Sequence, residues 1–272
     1  MQRFIYGTAW KEDETERLVA LALREGFRAI DTANQRKHYH EAAVGKGISA
    51  AVAAGVLQMS DVFLQTKFTF RRGQDHRLPY DARAPIGKQV EQSLASSLAH
   101  LGVEAIDSYV LHGPSQAEGL GADDWDAWRA MESLHDSGQA KALGVSNIGL
   151  EQLDLLCQKT RVKPSWVQNR CYAVTGWDFW VRDYCRVHEI GYQGFSLLTA
   201  NQPVLRSAEI GGLVSKYGKT PAQIIFRFAL EVGMTPLTGT TSAEHMHEDL
   251  AARDFKLEAA EVERIERLAV RR

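Results

Sequence analysis

Polar side chains close a series of short apolar runs along the 272-residue chain. Asp31 ends one run in AIDTAN, Lys67 another in FLQTKF and His112 a third in SYVLHGP. Ser146 and Asn147 follow in GVSN, Gln168 and Asn169 in WVQNR, and Phe195 and Ser196 in QGFSLL. A carboxylate, an ammonium and an imidazole in one pocket suit carbonyl reduction, which needs a hydride on carbon and a proton on oxygen. A tyrosine supplies that proton if its pKa is drawn down from about 10, and a nearby ammonium favours the phenolate. The carboxylate holds the lysine charged and in place. The imidazole donates a hydrogen bond to the carbonyl oxygen, where charge grows in the transition state. Each residue also has a plainer reading: Asp31 as a turn cap, Lys67 as a solvated lysine, His112 as a structural histidine. Trp10 directly follows the first apolar run and is expected to wall the pocket. Tyr172 and Trp177 hint at an apolar or ring-bearing substrate. His38 and His40 read as loop residues, because no carboxylate or thiol pattern accompanies them to hold a metal.

The elements that must bring these residues together alternate between short apolar runs and longer amphipathic ones. Strands are predicted at Arg3–Gly7, Arg28–Asp31, Asp61–Lys67, Ala105–Leu111, Lys141–Ser146, Trp166–Asn169, Tyr192–Phe195 and Thr235–Leu237. Helices are predicted between and after them, among them Glu14–Glu25 stopped by Gly26, Glu41–Ala54, Gly87–Leu101 and Pro221–Val232, with proline at the helix start. Two more, Ala243–Arg253 and Glu258–Val270, finish the chain. Strict β/α alternation implies a parallel sheet with right-handed crossovers, and eight units in this length favour a closed (β/α)8 TIM barrel over residues 1–272 as one domain. A doubly wound open sheet is the alternative, weakened by the absence of G-x-G-x-x-G after the first strand. The stretches Phe70–Ala84 and Ser115–Asp124 read as long βα loops, which belong to the catalytic face of a barrel.

Composition narrows the classes of function. A net charge of −2 provides no broad basic surface, so nucleic acid is not an expected partner. The terminal Arg271 and Arg272 read as a solvated tail. No apolar run is long enough to cross a bilayer, and Met1 to Trp10 lacks the apolar core of a secretion signal. The three cysteines, Cys157, Cys171 and Cys185, form no C-x-x-C pair. Neither a disulfide frame nor a zinc site follows, and a reducing, cytoplasmic setting is expected. Oligomeric state is not written in these features.

At this point the chain resembles the aldo-keto reductase superfamily. The resemblance is carried by IDTAN at Ile30–Asn34, EAAVGKGI at Glu41–Ile48, TKF at Thr66–Phe68, IDSYVLHGP at Ile106–Pro114, GVSN at Gly144–Asn147, VQN at Val167–Asn169 and GFSLL at Gly194–Leu198. Each piece alone is weak, but the ordered set covers nearly the whole chain. It implies a metal-free barrel binding NADP(H), ahead of NAD(H), in extended form. It also implies that Asp31, Lys67 and His112 are the catalytic aspartate, lysine and histidine. The family tyrosine usually stands five residues after the aspartate, where this chain has Arg36. The segment is about two residues longer here, and Tyr39 is its only tyrosine, so Tyr39 is assigned as proton donor. Ser146, Asn147 and Gln168 match residues holding the nicotinamide carboxamide, and Phe195 the aromatic stacked on its ring. Ser196, Leu198 and Asn201 are implied along the pyrophosphate. At the adenosine end many NADPH-dependent relatives carry a Lys-Ser pair and then an arginine. This chain instead offers Thr238, Gly239, Thr240 and Thr241 at a helix start, with His245 near the arginine position and Asp249 where an asparagine often reads adenine.

The leading expectation is an NAD(P)H-dependent enzyme reducing an aldehyde or ketone, or running in reverse on an alcohol. Two alternatives share the fold: a cofactor-binding regulatory subunit without turnover, and a redox-neutral isomerase or lyase acting on a sugar-like substrate.

Overall fold

The computed structural model describes residues 4–269. The expected strand start at Arg3, the end of the last expected helix at Val270 and the Arg271–Arg272 tail lie outside them. Eight parallel strands close into a barrel in sequential order. They are β1 (Ile5–Gly7), β2 (Ala29–Asp31), β3 (Phe63–Phe68), β4 (Ser108–Leu111), β5 (Leu143–Ser146), β6 (Trp166–Arg170), β7 (Gly191–Phe195) and β8 (Met234–Thr238). The seam is β1 on β8, with Ile5 opposite Leu237 and Tyr6 opposite Thr238. A closed barrel has no free strand edge, which suits strands as short and as buried as these.

Around the barrel run α1 (Thr15–Glu25), α2 (Glu41–Ala53), α3 (Ile86–Leu101), α4 (Ala122–Asp136), α5 (Leu150–Lys159) and α6 (Phe179–Val187). Then follow α7 (Gln202–Leu205), α8 (Ala208–Tyr217), α9 (Pro221–Glu231), α10 (Ala243–Ala251) and α11 (Ala259–Arg267). Their apolar stripes pack on the outer face of the sheet. In α1 these are Leu18, Val19, Ala22 and Leu23, all essentially buried. Gly26 ends α1 at φ 109°, where its lack of a Cβ lets the chain turn. Gly45 serves closeness instead: a Cβ there would meet the His100 carbonyl oxygen at 2.2 Å, so α2 and α3 touch through bare backbone. Thr220 caps α9 by accepting the Gln223 N–H, and Gln223 returns the bond.

The alternation of elements is as expected, while several strand bounds move and one stretch gains helices; β3 begins at Phe63 rather than Asp61, and β5 at Leu143 rather than Lys141. Strand β4 begins at Ser108 rather than Ala105, because Ile106 makes only an isolated bridge to Ala140. The helices α7 and α8 occupy a stretch between Phe195 and Pro221 to which the sequence reading assigned no element. The Gly211–Gly212 pair weakens the helical signal of α8. The cue to it is Ser207, whose hydroxyl accepts the Ile210 N–H.

Candidate active site

Strand pleating places alternate residues on one face, so Gln65 and Lys67 of β3, with Thr69 just beyond, share a side. On that side Lys67 Nζ lies 2.6 Å from Asp31 Oδ2 and 2.9 Å from the Thr32 carbonyl oxygen. The ion pair is dry, its side chains 1% and 4% exposed. Burial pulls the lysine pKa down and the adjoining Asp31 carboxylate opposes that pull. An ammonium has three N–H donors; two are used here, and the third is left for the side of Tyr39, whose ring centroid is 5.3 Å away.

Behind this pair lies a layer of amides. Asp31 Oδ1 accepts from Gln65 Nε2 at 2.7 Å and from Gln168 Nε2 at 2.9 Å. Gln193 Oε1 accepts from the same two nitrogens at 2.9 and 2.8 Å, and its own amide donates back to Gln65 Oε1 at 3.0 Å. Three strands thus hold one carboxylate. Gln65 and Gln193 were missed in the sequence, although a spacing of two from Lys67 and from Phe195 is the signal that places them on the inner face.

His112 follows β4, its backbone N–H bonded to Phe68 O. Its Nδ1 lies 2.7 Å from Thr69 Oγ1. Burial first, then the Lys67 ammonium, brings its imidazole down to about 3, so the ring is neutral. Tyr39 meets His112 edge to face at 6.0 Å. The sequence-based expectation was that the ammonium lowers the phenol. In the structure, burial and then the Asp31 charge raise it, and the phenol stays protonated. At the mouth, Trp10 (φ 62°, 70% exposed) packs against His38, with ring centroids 3.9 Å apart and planes tilted by 38°.

Of these side chains, Trp10, Asp31, His38, Tyr39, Thr69 and His112 line one end of a cavity of about 1490 Å³, larger than the pocket of a single small molecule. Ser146, Asn147, Gln168, Phe195, Ser196 and Leu198 line its middle, and Thr238, Gly239, Thr240, His245 and Asp249 its far end. The middle has acceptors that suit the N–H groups of an amide. Both Gln168 N–H groups are spent inward, and Asn147 Nδ2 donates to His112 O and Ser146 Oγ. Among the described residues nothing donates to Gln168 Oε1 or Asn147 Oδ1, which leaves two acceptors suited to a carboxamide NH2. At the far end Lys11 Nζ donates to Gly239 O, and Thr238 Oγ1 donates to Asp249 Oδ2 at 2.8 Å. Burial raises the Asp249 carboxyl to about 7.

Five expected site residues do not line the cavity; one is Lys67, sealed behind it in the ion pair with Asp31. Asn201 is a buried brace: its Oδ1 accepts the Ala173 N–H, and its Nδ2 donates to Cys171 O and Leu197 O. Trp177 is wholly buried, its indole N–H on Ile265 O and its ring against Phe228. Left-handed backbone at Gly176, Trp177 and Asp178 turns it inward. Tyr172 is 40% exposed away from the cavity. Thr241 also lies outside, and Ser242 is the cap of α10, accepting the His245 N–H. Conversely, Lys11, His38, Thr69, Arg72 and Arg170 line the cavity and were not singled out for it. Arg170 lies over the Phe195 ring at 5.4 Å, and its spacing of two from Gln168 was the available cue.

A barrel with this rim defines a class of nicotinamide-dependent carbonyl reductase. The Aldo/keto reductase family model matches residues 2–270. The chain belongs to the aldo/keto reductase family and is an NAD(P)H-dependent oxidoreductase. It is 30% identical over 263 residues to methylglyoxal reductase DkgA of Salmonella typhimurium, covering 95% of this chain and 86% of that protein. It is 30% identical over 251 residues to aldo-keto reductase ML1669 of Mycobacterium leprae, covering 90% and 79%. Among solved structures, an aldo/keto reductase from Brucella melitensis superposes with TM-score 0.82 at 26% identity, over 97% and 94% of the two chains. A Bombyx mori aldo-keto reductase solved with NADP shares the fold, with TM-score 0.83 at 24% identity, over 98% and 88%. No helix among the described residues is long and apolar enough to cross a membrane.

Proposed function

We propose that the protein reduces a small aldehyde or 2-oxoaldehyde to an alcohol, using NADPH ahead of NADH, with Tyr39 as proton donor. The observation that carries this reading is the dry Lys67–Asp31 pair at 2.6 Å beside the Tyr39 ring, with His112 at its edge. When bound, the reduced nicotinamide supplies the hydride. Ser146, Asn147 and Gln168 would hold its carboxamide, Phe195 its ring face, Ser196 and Leu198 the pyrophosphate, and Thr238, Gly239, Thr240, His245 and Asp249 the adenosine end.

The chain's own residues divide the remaining work. His112, neutral, donates a hydrogen bond to the carbonyl oxygen and places it beside the Tyr39 hydroxyl. As negative charge gathers on that oxygen, Tyr39 gives up its proton, and the Lys67 ammonium favours the phenolate left behind. Asp31, clamped by Gln65 and Gln168, keeps Lys67 charged and in place. Trp10 and His38 form the wall that the substrate passes. The Salmonella relative's name supports the substrate class, and the Bombyx complex supports the cofactor. The free, buried thiols of Cys157, Cys171 and Cys185 support a reducing, cytoplasmic setting.

Tyr39→Phe tests the assignment. Turnover is expected to fall at least about 1000-fold while fluorescence titration gives unchanged NADPH binding. Turnover equal to the parent enzyme ends the tyrosine assignment. Parallel titration with NADH settles the coenzyme, and equal affinity for both removes the stated preference.

A further inference from the structure

Thr69 stands two residues beyond Lys67, where β3 gives way to the loop. It is buried, and its hydroxyl has one partner among the described residues, Nδ1 of His112 at 2.7 Å. The rest of the residue is tied down. Its carbonyl accepts from the Tyr80 hydroxyl at 2.8 Å and from Gln74 Nε2 at 3.3 Å. Its methyl packs so closely on Gly73 that a Cβ there would lie 2.7 Å from Thr69 Cγ2. The hydroxyl is therefore held against the imidazole by backbone and packing together.

A neutral imidazole carries one N–H, and its location decides what the ring can do. With hydrogen on Nδ1, Thr69 becomes the acceptor and its own hydroxyl hydrogen has no acceptor among the described residues. The Nε2 lone pair then confronts any carbonyl oxygen in the cavity. With hydrogen on Nε2, the Thr69 hydroxyl donates to Nδ1 and no buried donor is wasted. Nε2–H is then free for the cavity that His112 lines. An unmade buried donor shifts such an equilibrium by about tenfold or more.

We propose that Thr69 is a positioning residue that fixes His112 in its Nε2–H form, so that the imidazole meets the substrate as a donor. This rests on the reading of His112 as the partner of the carbonyl oxygen. Thr69 does not touch the reacting atoms and acts only through the ring.

The test compares Thr69→Val and Thr69→Ser. Valine keeps the shape and removes the hydroxyl; serine restores the hydroxyl without the methyl. In Thr69→Val, kcat for a small aldehyde should fall roughly 100-fold, with NADPH affinity and melting temperature near those of the parent. Thr69→Ser should recover most of the rate. Nitrogen-15 spectra of histidine-labelled protein, with His112 assigned through His112→Gln, provide the readout that a merely structural role would not move. The parent and Thr69→Ser should show protonated Nε2 and bare Nδ1, and Thr69→Val a mixture or the reverse. A parent ring protonated on Nδ1 overturns the proposal, as does a slowed Thr69→Val with an unchanged tautomer. A His112→Gln enzyme as fast as the parent would instead remove the role of His112 on which the proposal rests, whatever the spectra show.

Discussion

The two ends of the cavity are built on different principles. At the catalytic end, functional side chains come from the ends of adjacent strands whose register is fixed residue by residue, Asp31 opposite Gln65 and Lys67 opposite Val110. Asp31 accepts three hydrogen bonds and Lys67 donates two in a dry interior. At the far end, Thr238 closes β8, Gly239 and Thr240 form the turn that follows, and His245 lies in the first turn of α10, so that backbone and hydroxyl groups would do most of the proposed binding. At the catalytic end both partners of an ion pair are buried and costly to separate; at the far end His245 is exposed, while Asp249 is buried with no cation paired to it among the described residues. In the proposed function, precision is therefore concentrated where chemistry would occur, and adaptability where a cofactor's tail would be received.

Perturbations should separate the two ends. Lys67→Met removes the partner of a buried carboxylate and should cost about 3–5 kcal/mol in urea denaturation along with essentially all turnover. A variant as stable as the parent would mean that the catalytic end is less dry than the geometry says. Gln65→Leu strips one donor from Asp31 and leaves Gln193 unmatched, for about 1–3 kcal/mol and a slower kcat with little change in cofactor affinity.

The ends should also answer pH in opposite directions. His112, lowered from 6.5 to about 3, contributes stability that is present above 6.5 and is lost as pH falls towards 3. Asp249, raised from 3.8 to about 7, contributes stability that is present below 3.8 and is lost as pH rises through 7. Asp249→Asn should therefore stabilise the fold by roughly 1–3 kcal/mol at pH 8 and hardly at all near pH 4, as thermal melts would record. Equal effects at both values would refute the alkaline arm. The mildest change is Lys11→Ala, which removes a cation from the far end. It should weaken NADPH binding by about fivefold and make it less salt-dependent, with kcat untouched; a loss of kcat would blur the contrast between the ends.

The same contrast governs what the sequence made legible. Strand ends were readable because alternating apolar runs leave a conspicuous polar residue at each exit, as with Asp31, Lys67 and His112. Tyr39 was reachable only through the family likeness, since its loop carries extra residues and no periodicity fixes a loop. Trp177 misled because residue type was read without backbone: three consecutive left-handed residues invert the direction of its side chain. Asn201 misled because an amide suited to phosphate is equally suited to bracing three backbone groups. Lys11 was not singled out, because its place beside Gly239 depends on β1 closing against β8.

That seam carries a consequence for how the molecule comes into being. The Tyr6 hydroxyl donates to the carbonyl of Thr240, 234 positions along the chain, so the first strand made must wait for the last before the ring is complete. Such distant pairings are slow to form. A nascent chain lacking β8 would leave the ring open and its inner amides in contact with water. Activity should therefore emerge in a single step late in synthesis or refolding, and fragments ending before the last strand should have none.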